Sequence, residues 1–241
     1  MYAASKTDIG RMRSTNQDVC SCGAFEDGSA WTVVCDGMGG VNGGNIASSI
    51  ASETIVQCLQ DAYAPGMDAD AMRDMMLSAV QSANDAVIRR AEAEPDLYGM
   101  GTTAVVAIAA GGGLHIAHAG DSRAYLAPGS KLTRVTTDHS IVQELVNHGD
   151  ITEEEARVHP QKNIITRVLG VEPTVEIDYQ EFEILPGDCL LLCTDGLTNY
   201  VEDRELLKAS AMSPKDCCSV LVSMAKDSGG GDNITVVAVK N

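Results

Sequence analysis

Long apolar runs are missing from this chain of 241 residues. None approaches the ~18 residues a membrane-spanning helix needs, so no insertion into a membrane is expected. The first residues, Met1 to Asp8, lack the apolar centre of a secretion signal, and the expected location is the cytoplasm. Aromatic residues are scarce, at two Phe, one Trp and six Tyr, so the core must be built from Val, Ile, Leu, Ala and Met. Basic residues are also few: 17 Lys and Arg stand against 34 Asp and Glu, for a net charge of −17. That balance excludes nucleic acid as a partner, because phosphate backbones need a basic face. A phosphorylated substrate stays possible if bound cations invert the local field. No Cys-x-x-Cys occurs, and the eight cysteines lie mostly in apolar patterns, so they read as small buried thiols rather than disulfides or zinc ligands. His115 and His118 do not make a zinc pair, since residues three apart on a strand face opposite ways. No Gly-x-x-x-x-Gly-Lys phosphate loop is present, which leaves nucleotide-driven phosphoryl transfer without a basis.

What the chain does have is one design used twice. Trp31 to Cys35 is apolar and β-branched, the pattern of a buried strand, and it runs into Asp36-Gly37-Met38-Gly39-Gly40. Leu190 to Thr194 is a second apolar run, and it too ends in Asp-Gly, at Asp195-Gly196. Asp-Gly is a common turn pair, so either alone is weak. Two buried strands that each deliver a carboxylate suggest convergence at one edge of a sheet core.

The remaining pattern predicts strands over residues 2–35, broken by the polar stretch Gly10 to Asp18. A helix follows over Asn45 to Ala62, and a second, capped near Asp68, carries Met72, Met76, Ala79, Ala83 and Val87 on one stripe. That stripe reads as core filler. Strands are expected over Thr102–Ala109, Leu114–Ala119, Ala124–Ala127 and Lys131–Val135, with hairpin spacing. Residues 138–170 interrupt them: Asp138-His139-Ser140 opens a short helix, Gly149-Asp150 ends it, and Glu153 to Glu155 reads as a solvated surface. Strands at Thr174–Ile184 and Cys189–Cys193, helices at Arg204–Ala209 and Pro214–Lys226, and a last strand at Ile234–Val239 complete the chain. There is no repeat and no linker, so residues 1–241 are expected to form one domain. The grouping lacks strict βαβ alternation and fits an antiparallel α+β fold.

Five aspartates sit at strand ends or glycine-flanked turns: Asp18, Asp36, Asp121, Asp195 and Asp232. An oxygen-only set points to Mg²⁺ or Mn²⁺ rather than Zn²⁺. Arg13 offers a two-pronged grip on a phosphate, with Arg11 as its rival. Asp121 has a plainer alternative as a turn residue paired with Arg123, and His139 reads as structural.

The segments Asp8-Ile9-Gly10 with Arg13 and Asn16-Gln17-Asp18, Val34 to Gly40, Gly99 to Thr103, Ala119 to Arg123, Thr194 to Leu197 and Asp232 to Thr235 occur in an order that resembles the metal-dependent Ser/Thr phosphatases of the protein phosphatase 2C type, in their compact bacterial form. The resemblance implies a four-layer αββα sandwich, with two central antiparallel sheets and helix pairs outside. It implies hydrolysis of phosphoserine and phosphothreonine on proteins by a metal-bridged hydroxide. Asp36 would bridge two tight Mn²⁺ or Mg²⁺ ions, with the Gly37 carbonyl as a further ligand. Asp195 and Asp232 would hold one ion, Asp18 would reach the other through water, and Asp121 with Asp195 would hold a weaker third. Arg13 would bind the substrate phosphate, and residues 138–170 would be a flap beside the site. Met38 stands where eukaryotic members have a histidine as proposed acid, so a metal-bound water is the candidate acid here. The implied partners are phosphorylated proteins, among them a bacterial Ser/Thr kinase and its substrates, with the enzyme a monomer. The competing readings are an inactive scaffold of the same fold and a small-molecule phosphatase.

Overall fold

The computed structural model describes residues 1–241, apart from the side chains of residues 40–42. The chain opens with β1 (Tyr2–Asp8), β2 (Asp18–Ala24) and β3 (Ala30–Met38), then forms two long helices, α1 (Gly40–Ala62) and α2 (Ala69–Ala93). A run of strands follows: β4 (Gly101–Thr102), β5 (Ala104–Ala110), β6 (Gly113–Ala119), β7 (Arg123–Ala127) and β8 (Thr133–Arg134). Helices α3 (Ile141–His148) and α4 (Glu153–Val158) precede β9 (Asp178–Glu183) and β10 (Cys189–Cys193). The short α5 (Asp195–Thr198), then α6 (Asp203–Ser210), α7 (Pro214–Asp227) and β11 (Ile234–Lys240), end the chain.

The strands form two antiparallel sheets, one in the order β1-β11-β10-β7-β8 and the other β2-β3-β5-β6-β9, with β4 added beside the end of β3. Period-two alternation decides the layers. Val34, Val105, Ala107 and Ile116 of one sheet meet Leu190, Leu192, Val237 and Val239 of the other. Their neighbours Val33, Cys35, Val106 and Ile108 point the opposite way, under Ile55, Leu59, Met72 and Met76 of α1 and α2. Leu191, Cys193, Val236 and Ala238 likewise lie under Leu206, Leu221 and Val222 of α6 and α7. The α/β/β/α order that the resemblance implied is therefore what is found, and the methionine stripe of α2 is core. All eight cysteines carry free thiols, and burial raises the pKa of Cys35, Cys193 and Cys217.

Several boundaries differ from the sequence pattern, each for a local reason. Helix α1 starts at Gly40, five residues before the expected Asn45, inside a glycine-rich stretch with poor helix propensity. Those glycines let the helix press on β3: a Cβ on Gly44 would stand 2.7 Å from the carbonyl carbon and oxygen of Gly37. The strand expected over Thr174–Ile184 shrinks to Asp178–Glu183, because the preceding backbone is tied to α2 side chains instead of a strand. Asn84 Nδ2 donates to the Glu172 carbonyl (2.9 Å), and Val175 N donates to Gln81 Oε1 (3.4 Å). Only Thr133–Arg134 of the expected Lys131–Val135 strand pairs with β7. Asp138 and His139 lie outside any helix; α3 begins at Ile141, where Ser140 Oγ accepts from Gln143 N. Glu153 to Glu155 are exposed as expected, but they form the first turn of α4, closed by a Thr152–Glu155 capping box.

Candidate metal centre

Neither Asp-Gly pair is a plain turn. Strand β3 runs on through Asp36 and Gly37, and Gly37 pairs with Thr102 of β4 while its N–H donates to the Gln17 carbonyl (3.1 Å). A Cβ at Gly37 would collide with the Gly44 carbonyl oxygen, and one at Gly196 with the Asn233 carbonyl oxygen. Both glycines are thus required by close backbone approach rather than by a turn. The main chain of Asp36 is fixed at its N–H and its carbonyl oxygen. Its N–H donates to Thr103 Oγ1 (3.0 Å), and its carbonyl accepts from Thr103 N and Thr102 Oγ1 (both 2.9 Å). Its carboxylate direction is therefore set by the sheet.

The other four aspartates arrive from four separate places. Asp18 opens β2 directly across from Asp36, and its Oδ2 accepts from Thr194 Oγ1 (2.9 Å). Asp121 follows Gly120 at the end of β6, Asp195 opens α5 immediately after β10, and Asp232 precedes β11. Asp36, Gly37, Asp121, Asp195 and Asp232 line one cleft of about 720 Å³, together with Arg13, Met38, Ile164, Ile165 and Val168. Asp18 is buried and does not reach the cleft wall.

The electrostatics are those of an unbalanced site. Burial raises the pKa of Asp36 well above the usual carboxylate range, and the charges of Asp18, Asp195, Asp121 and Asp232 raise it further. Burial pushes Asp18 up to about 7 against the hydrogen bonds from Thr235 and Thr194, with Asp195 and Asp232 adding to the rise. Asp195 is raised by burial and by Asp232, and Asp121 by burial and by Asp195. The one side-chain cation in the group is Arg13, whose Nη2 donates to Asp232 Oδ2 (2.7 Å) and whose charge that bond reinforces. Asp121 Oδ1 is buried, and among the described residues it has no hydrogen-bond partner. Mutually repelling carboxylates and an orphaned buried oxygen fit hard divalent cations with oxygen ligands. Among the described residues, no three of these aspartates bring donor atoms within 4.8 Å of one another.

The rival assignments separate cleanly. Arg11 points away, to Asp227 Oδ1 (3.0 Å) and the Lys226 carbonyl (2.7 Å). Arg123 binds Asp138 rather than Asp121, through Nε and Nη2 at 2.6–3.0 Å. His115 bonds Tyr179 (2.7 Å) and His118 the Thr137 carbonyl (3.0 Å), so they share no ligand position. His118 does lie with His139 and Asp178 in the one group of three potential ligands, among the described residues, whose donor atoms fall within 4.8 Å. Their rings are stacked 4.7 Å apart and nearly parallel, so their in-plane lone pairs cannot converge on one ion. Sequence reasoning assigned no role to Thr102, Thr103, Thr194 or Asn233. Asn233 accepts from Gln17 N (2.8 Å) and donates to the Ile9 and Thr15 carbonyls (both 3.0 Å), which fixes the loop carrying Arg13. For Thr194 and Asn233 the available signal was a polar residue next to an aspartate, whereas Thr102 and Thr103 adjoin no aspartate in the chain.

The chain and its fold have counterparts among known proteins. A family model described as Protein phosphatase 2C matches residues 11–223. The chain is 41% identical to the serine/threonine phosphatase stp of Listeria welshimeri, covering 100% of this chain and 96% of that protein. It superposes with a TM-score of 0.92 on the crystal structure of serine/threonine phosphatase Stp1 from Staphylococcus aureus, at 32% identity over 99% of this chain and 94% of that one. A crystal structure of the catalytic domain of the serine/threonine protein phosphatase PstP, in complex with two manganese ions, superposes with a TM-score of 0.85 at 35% identity, over 99% of this chain and 97% of that one.

Proposed function

The chain belongs to the protein phosphatase 2C family, and on that premise we propose that it hydrolyses phosphoserine and phosphothreonine esters of proteins in the cleft around Asp36. The observation that carries this reading is the group of aspartates in and behind one cleft, whose mutual repulsion and burial outweigh the nearby cations Arg13, Arg123 and Lys162. Asp36, the Gly37 carbonyl, Asp195 and Asp232 would hold two Mn²⁺ or Mg²⁺ ions, with Asp18 behind them and Asp121 with Asp195 for a weaker third. Bound there, the ions supply a hydroxide nucleophile at neutral pH and neutralise charge on the phosphoryl oxygens.

The chain's own residues do the rest. Arg13 extends from a loop fixed by Asn233, and its second nitrogen edge is available to a phosphate oxygen. Thr102 and Thr103 hold the Asp36 backbone, which keeps its carboxylate from swinging when charge develops in front of it. Met38 lines the cleft and has no proton to give, so the leaving oxygen must take its proton from elsewhere, and Asp121 is the group placed to direct it. Residues 138–170 form the flap, whose Ile164, Ile165 and Val168 line the same cleft as Arg13 and give an apolar surface for a polypeptide beside the phosphoresidue. The enzyme acts as a monomer in the cytoplasm and reverses the work of a Ser/Thr protein kinase. The experiment is turnover of a phosphothreonine peptide against a sugar phosphate, with Mn²⁺ and after chelation. Mn²⁺-dependent preference for the peptide supports the reading; preference for the sugar phosphate, or turnover indifferent to chelation, overturns it.

A further inference from the structure

His139 is buried where three parts of the chain meet, and nothing in the reading above uses it. It stands at the entry of the flap. Its backbone carbonyl accepts from Thr166 N near the flap's exit (2.8 Å), and Ile141 N donates to the Ile164 carbonyl (3.0 Å), so the two ends of the segment are tied together beside it. The same residue grips Gly120 twice. His139 N donates to the Gly120 carbonyl (3.0 Å), and Gly120 N donates to His139 Nδ1 (3.1 Å). Gly120 has φ +112°, a conformation other residues avoid, and a Cβ there would come 2.5 Å from Thr103 Cγ2. The turn that presents Asp121 is thus held by glycine's freedom on one side and by an imidazole on the other.

Two groups that can only donate face the ring: Gly120 N lies 3.1 Å from Nδ1 and Arg167 Nη1 lies 2.9 Å from Nε2. A neutral imidazole has one lone-pair nitrogen, so the tautomer that accepts from Gly120 is the one that carries its proton on Nε2. Nε2 lies 3.3 Å from Asp178 Oδ2. Asp178 Oδ1 also accepts from Arg167 Nη1 (2.7 Å), and Arg167 Nη2 binds Glu176 (2.9 Å). Arg167 belongs to the exit of the flap. Asp178 favours the tautomer that holds Gly120 and Arg167 Nη1 favours the other, so the hold on Gly120 depends on the balance between these two side chains.

We propose that His139 is a positioning residue for Asp121: its Nδ1 sets the Gly120–Asp121 turn, and its Nε2, contested by Asp178 and Arg167, makes that setting depend on the flap residue Arg167. The proposal rests on the reading of Asp121 as a group that directs a proton and a weakly held cation at the cleft. The flap then acts on the chemistry through a chain of hydrogen bonds as well as through its wall.

Two substitutions divide the ring into its halves. Asparagine places an amide oxygen near Nδ1 and abandons Nε2, whereas glutamine reaches the Nε2 position and abandons Nδ1. His139→Gln should release Gly120 N–H, so its amide should exchange about tenfold faster in metal-free protein, a readout independent of activity. It should also cut kcat for a phosphothreonine peptide about tenfold with KM within about twofold, the usual scale for loss of an outer-shell partner. Binding of Mn²⁺ at the weak site, followed by titration above saturation of the tight sites, should weaken by a similar factor. His139→Asn should keep Gly120 protected and retain most of the turnover. Asp178→Asn should reproduce the glutamine pattern in weaker form, and it carries the test if His139→Gln does not fold. Equal losses in His139→Gln and His139→Asn, or unchanged Gly120 exchange in His139→Gln, overturn the positioning role. Asp121→Asn, measured beside them, keeps the two readings apart: wild-type peptide turnover in that variant removes the role of Asp121, while Gly120 exchange still decides whether His139 holds the turn.

Discussion

Two groups of buried charge lie on either side of Gly120, and they follow opposite rules. Beyond it, Arg123 is gripped by Asp138 at 2.6–3.0 Å, and Arg167 by Asp178 and Glu176, so every carboxylate there has its cation. Toward the cleft, Asp18, Asp36, Asp121 and Asp195 repel one another, and all four have raised pKa values. Asp178, by contrast, is lowered: burial works against it, but the hydrogen bonds from Arg167 and His139 prevail. The same residue type thus titrates in opposite directions, upward in the deeper cleft group and downward at half-buried Asp178 beside its cation. A protein has no structural reason to keep four like charges unpaired. The compensated group holds the fold, and the uncompensated one is kept for ligands that arrive later.

The sharpest way to break this contrast is to remove charge from each side in turn. Asp36→Asn should lower kcat/KM for a phosphopeptide about 10³-fold or more, roughly 4 kcal/mol at 1.36 kcal/mol per tenfold. Its stability in chelator should be unchanged or slightly raised, because one repelling charge has gone. Turnover within tenfold of wild type, or a clear loss of metal-free stability by denaturant melt, would contradict the assignment.

Asp138→Asn should do the reverse. It leaves Arg123 largely buried and without its carboxylate, a defect that costs about 3 kcal/mol in comparable buried pairs. Urea melts of the metal-free protein should show it as a lower midpoint with an unchanged slope. A shift below about 0.5 kcal/mol would mean that Arg123 finds another partner and that the two groups differ less than their geometry says.

How much of this contrast was legible in the residues follows from the range of the forces involved. The aspartates were findable because each ends an apolar run or sits among glycines, and both signals are local. The double use of Val-Val-Cys-Asp-Gly and Leu-Leu-Cys-Thr-Asp-Gly is on the surface of the sequence. The reason for the glycines was not. Gly37 and Gly196 look like turn formers, yet each is required by the close approach of another element's backbone, at Gly44 in one case and Asn233 in the other. The partner of Arg123 was missed for the same reason: Asp121 is two residues away, but Asp138, fifteen away, wins because β8 returns it to the guanidinium. His139 was read as structural, which its burial supports, but its hold on Gly120 depends on a pairing no periodicity reveals. Core strands and amphipathic helices obey short-range periodicity; long-range polar partners do not.

Arg13 joins the two sides of the comparison, as the cation nearest the unbalanced group. Arg13→Ala should lower kcat/KM by ~2–3 kcal/mol, the scale of a hydrogen bond to a charged group, mostly through KM for the phosphorylated substrate. Arg11→Ala, which loses an exposed pair with Asp227 and a bond to the Lys226 carbonyl, should change kcat/KM by less than about twofold. A larger effect from Arg11 than from Arg13 would reassign the phosphate contact. Calorimetric Mn²⁺ affinity should survive Arg13→Ala or rise, since the guanidinium competes for Asp232.

The gentlest probe is pH, and it reads the imbalance directly. In metal-free protein the cleft carboxylates have folded-state pKa values above those of the unfolded chain, with Asp18 up to about 7. Between the unfolded value near 4 and the folded values, the folded protein binds more protons than the unfolded chain. Their contribution to stability is therefore fully present below the unfolded pKa and is lost as pH rises through the folded ones. Mn²⁺ takes the place of those protons, so its affinity must grow over the same window, by at most about tenfold, or ~1.4 kcal/mol, per proton displaced and per pH unit. The Tm gain caused by a fixed Mn²⁺ concentration should accordingly be small near pH 5.5 and larger at pH 6.5 and 7.5. In Asp36→Asn the gain should be smaller at every pH and its slope shallower, because one competing carboxylate is gone. In Asp178→Asn, on the compensated side, the slope should match wild type. A Mn²⁺-induced gain that is flat from pH 5.5 to 7.5 would show that the cleft aspartates are already ionised without metal, and the distinction between the two groups of charge would fail with it.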